Sequence, residues 1–221
     1  TLLLAAVSCM MLIIAGTRLR LVLPIALIGL TAIGYSIMHN KNRSSRMEAF
    51  FRPEMHLDGK AYQQDQAMIA LGSGGLMGVG LGDGRQKFSY VPENHTDFIL
   101  SIVGEELGMV ATFGVLLAFI GIGLSGAYIA SHASDRFGMM IGCGITLLIL
   151  LQAFINIGVV TMVLPNKGLP LPFVSYGGSS VLMMLTSIGV LLSVARFAHE
   201  PVRRSRRNPF HPGEIPSTQI A

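Results

Sequence analysis

Residues 97–129 read DFILSIVGEELGMVATFGVLLAFIGIGLSGAYI. Apolar side chains run through the stretch almost without a break. At about 1.5 Å per residue, a helix of this length outreaches the roughly 30 Å of hydrocarbon in a bilayer. It reads as a membrane span. Two features sit badly with lipid: Asp97 at the head, and the adjacent carboxylates Glu105 and Glu106, about 12 Å further along the helix, between Gly104 and Gly108. Ionisable groups at membrane depth are costly, so they face a protein interior or a wet cavity and mark a site.

The rest of the chain repeats the apolar pattern. Runs at 2–16, 21–38, 137–164 and 179–197 give, with the first, five spans in an all-α polytopic membrane protein. The run at 2–16 follows no initiating Met and no basic flank, so it is expected to be the end of a span whose beginning is missing rather than a signal peptide. Composition agrees: 51% of residues are hydrophobic and 13% charged, with a mean hydropathy of +0.59, which excludes an ordinary soluble domain. A formal charge of +4 invites a nucleic-acid partner, but the basic residues lie at span ends and in the tail, where topology accounts for them. Cys9 and Cys143 lie inside apolar runs and provide no disulfide framework.

Between the second and third runs lies a long polar loop, 39–96, carrying both charge signs. Its middle, 66–81, is apolar and glycine-rich. This predicts a short interfacial helix over 63–71 followed by a re-entrant or surface turn. No G-x-G-x-x-G fits these glycines, which removes a dinucleotide reading. The tail, 199–221, rich in Pro, Arg and Ser, reads as a disordered basic segment, and 1–198 as the transmembrane domain. With Arg203, Arg204, Arg206 and Arg207 in the cytosol, five spans put Arg18 and Arg20 inside and the long loop outside.

Asp97 then stands at the outer boundary, either as a helix cap or as a catalytic carboxylate. Glu105 and Glu106, adjacent on a helix, should point roughly 100° apart and not share a partner. Each serves either an interhelical bond or a substrate contact, and Gly104 and Gly108 would let a second helix approach there. Gln152 and Asn156, four apart, share a face and read as interhelical glue. The connection 165–180 carries Pro165, Pro170 and Pro172, then Gly177 and Gly178 before Ser179 and Ser180. This reads as irregular backbone leading into a helix start. Free amides, hydroxyls and Lys167 suit a phosphate or diphosphate, with an ordinary capped turn as the alternative.

Two long motifs carry a resemblance: Val91 to Ile99 with Gly104 to Gly108, and Lys167 to Ser180; the glycine segment Gly75 to Gly82 also fits. They resemble the signatures of the SEDS family (FtsW, RodA, SpoVE) of division, elongation and sporulation, and Lys167-Gly168 with Leu169-Pro170-Leu171-Pro172 is most similar to its FtsW branch. The resemblance covers essentially the whole chain, although family members have about twice as many spans. It implies a peptidoglycan glycosyltransferase that polymerises lipid II at the outer face of the bacterial cytoplasmic membrane, with a lipid diphosphate as leaving group. Its partners would be a class B penicillin-binding protein and other divisome proteins. A lipid II flippase or an elongation polymerase is the alternative. By this comparison Asp97 is the catalytic base. His95, Thr96, Glu105, Lys167, Ser175, Tyr176, Gly177, Gly178 and Ser179 would contact substrate. No metal-ligand set or certain cofactor is implied, though a divalent cation could assist the diphosphate.

Overall fold

The computed structural model describes residues 2–51, 60–82, 84, 97–175 and 177–199. Among the described residues the chain is all-helical: α1 (Leu2–Ile14), α2 (Leu19–His39), α3 (Lys41–Phe51), α4 (Lys60–Ser73), α5 (Ile99–Ser131), α6 (Arg136–Val160) and α7 (Gly178–His199). Four of them, α2, α5, α6 and α7, are long and apolar enough to cross a membrane, and α1 is a shorter apolar helix. The protein is a polytopic membrane protein of the expected all-α class. His199, expected in the tail, ends α7, and the tail from 200 on lies outside the described residues.

Helix α6 is the hub, touched by α1, α4, α5 and α7. Its side chains Ile149, Ala153, Val159 and Val160 are buried with Phe98 and Leu171 in the core. Small residues bring α5 and α6 together. A Cβ on Gly123 would meet Leu150, one on Gly126 would meet Thr146, and one on Gly142 would lie 3.1 Å from the Ala130 Cβ. In lipid, where apolar burial offers no net drive between helices, such close approach supplies the van der Waals contact that holds them. Asp135 starts α6 as its N-cap, accepting from the Gly138 amide at 3.3 Å.

Two elements differ from the sequence expectation. The long loop carries two helices where one was expected, because α3 is polar overall and has apolar residues only near its end, at Met47, Ala49, Phe50 and Phe51. Helix α4 does more than lie in the interface. Ala67 and Ala70 are buried against protein and Gln64 donates to the carbonyls of Val159 and Leu164, both at 3.1 Å, while Met68 and Ile69 face outward.

Helix α5 is broken. At Gly108 the backbone takes φ 77, ψ −174, outside any helix. The part after the break, 109–131, alone covers the hydrocarbon thickness at 1.5 Å per residue. The segment that carries Asp97, Glu105 and Glu106 is therefore set off from the span proper.

Candidate functional site

The site is assembled from three pieces of backbone: the head of α5, the end of α6 and the connection 161–177 that follows it. Helix α5 starts at Ile99 with Phe98 as its N-cap, and Phe98 makes no side-chain capping bond. Phe98 is instead buried as an apolar anchor, while Ser101 Oγ and the Ser101 amide bond back to its carbonyl at 2.7 and 3.0 Å. Asp97 stands one residue outside this cap, half-buried. Its Oδ2 lies 2.9 Å from the point where a Cβ on Gly168 would stand. The carboxylate therefore rests against bare backbone of the α6–α7 connection, next in sequence to Lys167.

That connection folds inward rather than looping over the surface. Leu171 and Pro172 are fully buried, and Asn166 and Ser175 are buried. Irregular backbone at such depth needs its polar groups satisfied by protein, and α6 provides the donors. Gln152 Nε2 donates to the Pro170 carbonyl at 2.9 Å. One turn further, Asn156 Nδ2 donates to the Leu169 carbonyl at 2.7 Å and to the Asp97 carbonyl at 2.8 Å. The pair expected to glue helices together thus holds a loop. The shared face predicted by their spacing is present, but what packs on it is extended backbone and not a helix. Partial burial of Lys167 removes water from its ammonium and pushes its pKa below the ordinary lysine value.

The glycine-rich turn after α4 re-enters and docks on the break in α5. In an unbroken helix the amides of Met109 and Val110 would bond the carbonyls of Glu105 and Glu106. Here the Val79 and Gly80 amides take those carbonyls at 2.9 and 3.1 Å. Met109 and Val110 donate to the carbonyls of Gly75 and Leu76 at 3.0 and 3.4 Å. The approach tolerates no side chain: a Cβ on Gly78 would strike the Glu106 carbonyl, and one on Gly74 the Gly104 carbonyl. Gly104 is approached by α4 through Leu71, and Gly108 by the turn itself.

The break also corrects the expectation that Glu105 and Glu106 cannot share a partner. Both carboxylates reach Gly84, with Glu106 Oε1 at 3.1 Å and Glu105 Oε2 at 3.2 Å from the position of a Cβ there. Glu105 is 3% exposed. The glycine segment that docks beside the break passes between the two directions, and both side chains are long enough to reach it.

Of the remaining residues read from the sequence, His95, Thr96 and Tyr176 lie outside the described residues. Ser175 is buried in the connection. Gly177, Gly178 and Ser179 stand at the start of α7, where the Val181 amide bonds the Gly177 carbonyl at 2.9 Å. Gly178 and Ser179 are exposed. Among the described residues no three His, Cys, Asp or Glu side chains gather as a metal site would need. Sequence reasoning missed Gly168, Gly84 and Gln64. A glycine carries no side chain to announce a contact, and Gln64 is one of three glutamines in α4, with Gln63 and Gln66, that spacing alone does not tell apart.

Comparison with known proteins places this arrangement. The sequence is 43% identical over 192 residues to the probable peptidoglycan glycosyltransferase FtsW of Trichlorobacter lovleyi, covering 87% of this chain and 50% of that protein. It is 42% identical over 188 residues to the stage V sporulation protein E of Bacillus subtilis, covering 85% of this chain and 51% of that one. The chain spans about half the length of these curated relatives. One chain of a solved peptidoglycan synthase complex, "Structural coordination of polymerization and crosslinking by a peptidoglycan synthase complex", superposes with a TM-score of 0.59. Its identity is 23%, over 79% of this chain and 49% of that chain, so the likeness speaks for the fold. The profile of the FtsW/RodA/SpoVE family, described as "Cell cycle protein", matches residues 1–200, and the chain belongs to that family.

Proposed function

We propose that this chain carries the acceptor-activating side of a glycosyltransferase that polymerises lipid II at the outer face of the bacterial cytoplasmic membrane. The observation that carries the reading is Asp97, a half-buried carboxylate at the head of a span, resting on the Gly168 backbone beside Lys167. A carboxylate there can take the proton from an acceptor sugar hydroxyl as that oxygen attacks the anomeric carbon. The C–O bond to the diphosphate breaks in the same step, and the diphosphate leaves as an anion. Lys167 adjoins Gly168 in sequence and would meet such an anion, and an ammonium poor in water contacts gains more from meeting it than an exposed one. His95 and Thr96 would orient Asp97 or the sugar. Ser175, Tyr176 and the Gly177, Gly178 and Ser179 segment would line the substrate path, with Glu105 supporting the outer wall.

The partner we infer is a class B penicillin-binding protein that cross-links the glycan as it forms. The name of the solved complex, which joins polymerization to crosslinking, supports this arrangement. Orientation follows from basic residues: Arg18, Arg20 and the 199–221 tail inside, and the 39–96 loop outside. The test uses the full-length protein as encoded, purified with its penicillin-binding partner and supplied with lipid II. Asp97→Asn is expected to lower the polymerisation rate by about 10²–10⁴-fold while the protein still binds its partner. A folded Asp97→Asn protein that makes glycan at the wild-type rate removes the base assignment.

A further inference from the structure

We infer that Asn156 is a positioning residue that holds Asp97 in register with the α6–α7 connection. The inference rests on the reading of Asp97 as general base. Asn156 is 1% exposed. Both of its described hydrogen bonds are made by Nδ2, one to the carbonyl of Asp97 itself and one to the carbonyl of Leu169. Leu169 adjoins Gly168, the residue on which the Asp97 carboxylate rests. A primary amide has two N–H groups, so its donor capacity is fully committed to these two segments. One planar group therefore ties the backbone under the carboxylate to the backbone in front of it, across 59 residues of sequence on one side and 13 on the other.

Two observations separate this role from general helix glue. Neither acceptor lies inside a helix, and Asn156 Oδ1 is buried with no partner among the described residues, so the amide makes no bond there to a neighbouring helix. Gln152 offers a comparison on the same helix face. Its described hydrogen bond goes to the same connection, at the Pro170 carbonyl and not at Asp97. Loss of Gln152 should loosen the connection; loss of Asn156 should in addition let the carboxylate drift from the hydroxyl it must deprotonate. A misplacement of about 1 Å at a reacting group costs on the order of 100-fold in rate.

The experiment compares Asn156→Ala, Asn156→Asp, Gln152→Ala and Asp97→Asn in the full-length protein with its penicillin-binding partner. The readouts are thermal unfolding and the pH dependence of kcat and KM for lipid II polymerisation. Asn156→Ala is expected to lower kcat about 10- to 100-fold with KM within about twofold, and to shift the acidic limb of the kcat profile. Gln152→Ala is expected to lower the unfolding temperature and leave that limb in place. Should Asn156→Ala fail to accumulate, Asn156→Asp fills the same volume without the donor pair and is expected to show the same kcat loss. Wild-type kcat and an unmoved limb in either Asn156 variant overturns the proposal, as does a matching kcat loss and limb shift in Gln152→Ala. Wild-type activity in Asp97→Asn instead removes the base reading on which the proposal stands, and the two failures are told apart by which variant stays active.

Discussion

At the residue scale the decisive contact is between a carboxylate and a missing side chain. Asp97 Oδ2 occupies space that any Cβ on Gly168 would enter at 2.9 Å. Gly168→Ala therefore forces the carboxylate or the connection to shift. The expected result is a loss of about tenfold or more in kcat for polymerisation, with the protein still present in the membrane and its partner still bound. Lys167 makes a prediction with a definite sign. Its folded pKa is lowered by burial, so the neutral amine is favoured in the fold and stability rises with pH from the folded value up to the unfolded one near 10.4. Affinity for a diphosphate held by the ammonium runs the other way, falling as pH rises through the lowered value. Lys167→Arg, charged throughout, should move the alkaline limb of the KM profile upward; an unmoved limb takes Lys167 out of the anion site. Asp97 and Lys167 were legible because charge stands out beside apolar runs. Gly168 was not, since its contribution is the space it leaves.

At the element scale the joint between α5 and the glycine turn exchanges helix hydrogen bonds for bonds to the turn. Two intrahelical bonds are forgone at the break and four bonds to the turn replace them. Gly108 makes this possible, because φ 77 with ψ −174 is a region open to glycine and strained for other residues. Gly108→Ala should cost about 1–3 kcal/mol from backbone strain alone. It should cost more in practice, since the new Cβ would meet the Leu76 carbonyl at 2.5 Å. Gly121, on the same helix with open space around it, is the comparison. Gly121→Ala should be neutral or mildly stabilising, and thermal unfolding in detergent of the two variants checks both. The sequence Gly104-Glu105-Glu106-Leu107-Gly108 announced close packing but not the break. Glycines recur along α5, and spacing does not say which of them leaves the helix.

At the scale of the whole molecule, α6 organises the parts. Its lower half packs on α5 through small residues, and its upper half extends Gln152 and Asn156 toward the connection. The proposed orientation can be read directly by labelling in a background without Cys9 and Cys143. Val163→Cys, in the exposed connection after α6, should react with a membrane-impermeant maleimide added to intact cells without their outer barrier. Ser134→Cys, in the exposed turn between α5 and α6, should react only after the membrane is opened. The reverse pattern overturns the inside assignment of the basic termini.

What the sequence determined by itself is what depends on one-dimensional pattern. Apolar length set the spans, basic residues at the span ends set the expected orientation, and charge beside apolar runs pointed to Asp97, Glu105 and Lys167. Tertiary structure decided which backbone meets which. It turned Gln152 and Asn156 from glue into loop holders, brought Glu105 and Glu106 to one glycine, and set Asp97 on Gly168. The physical reason is that a broken helix and a re-entrant connection are stabilised by hydrogen bonds and close approaches between segments far apart in the chain, and no local periodicity encodes them.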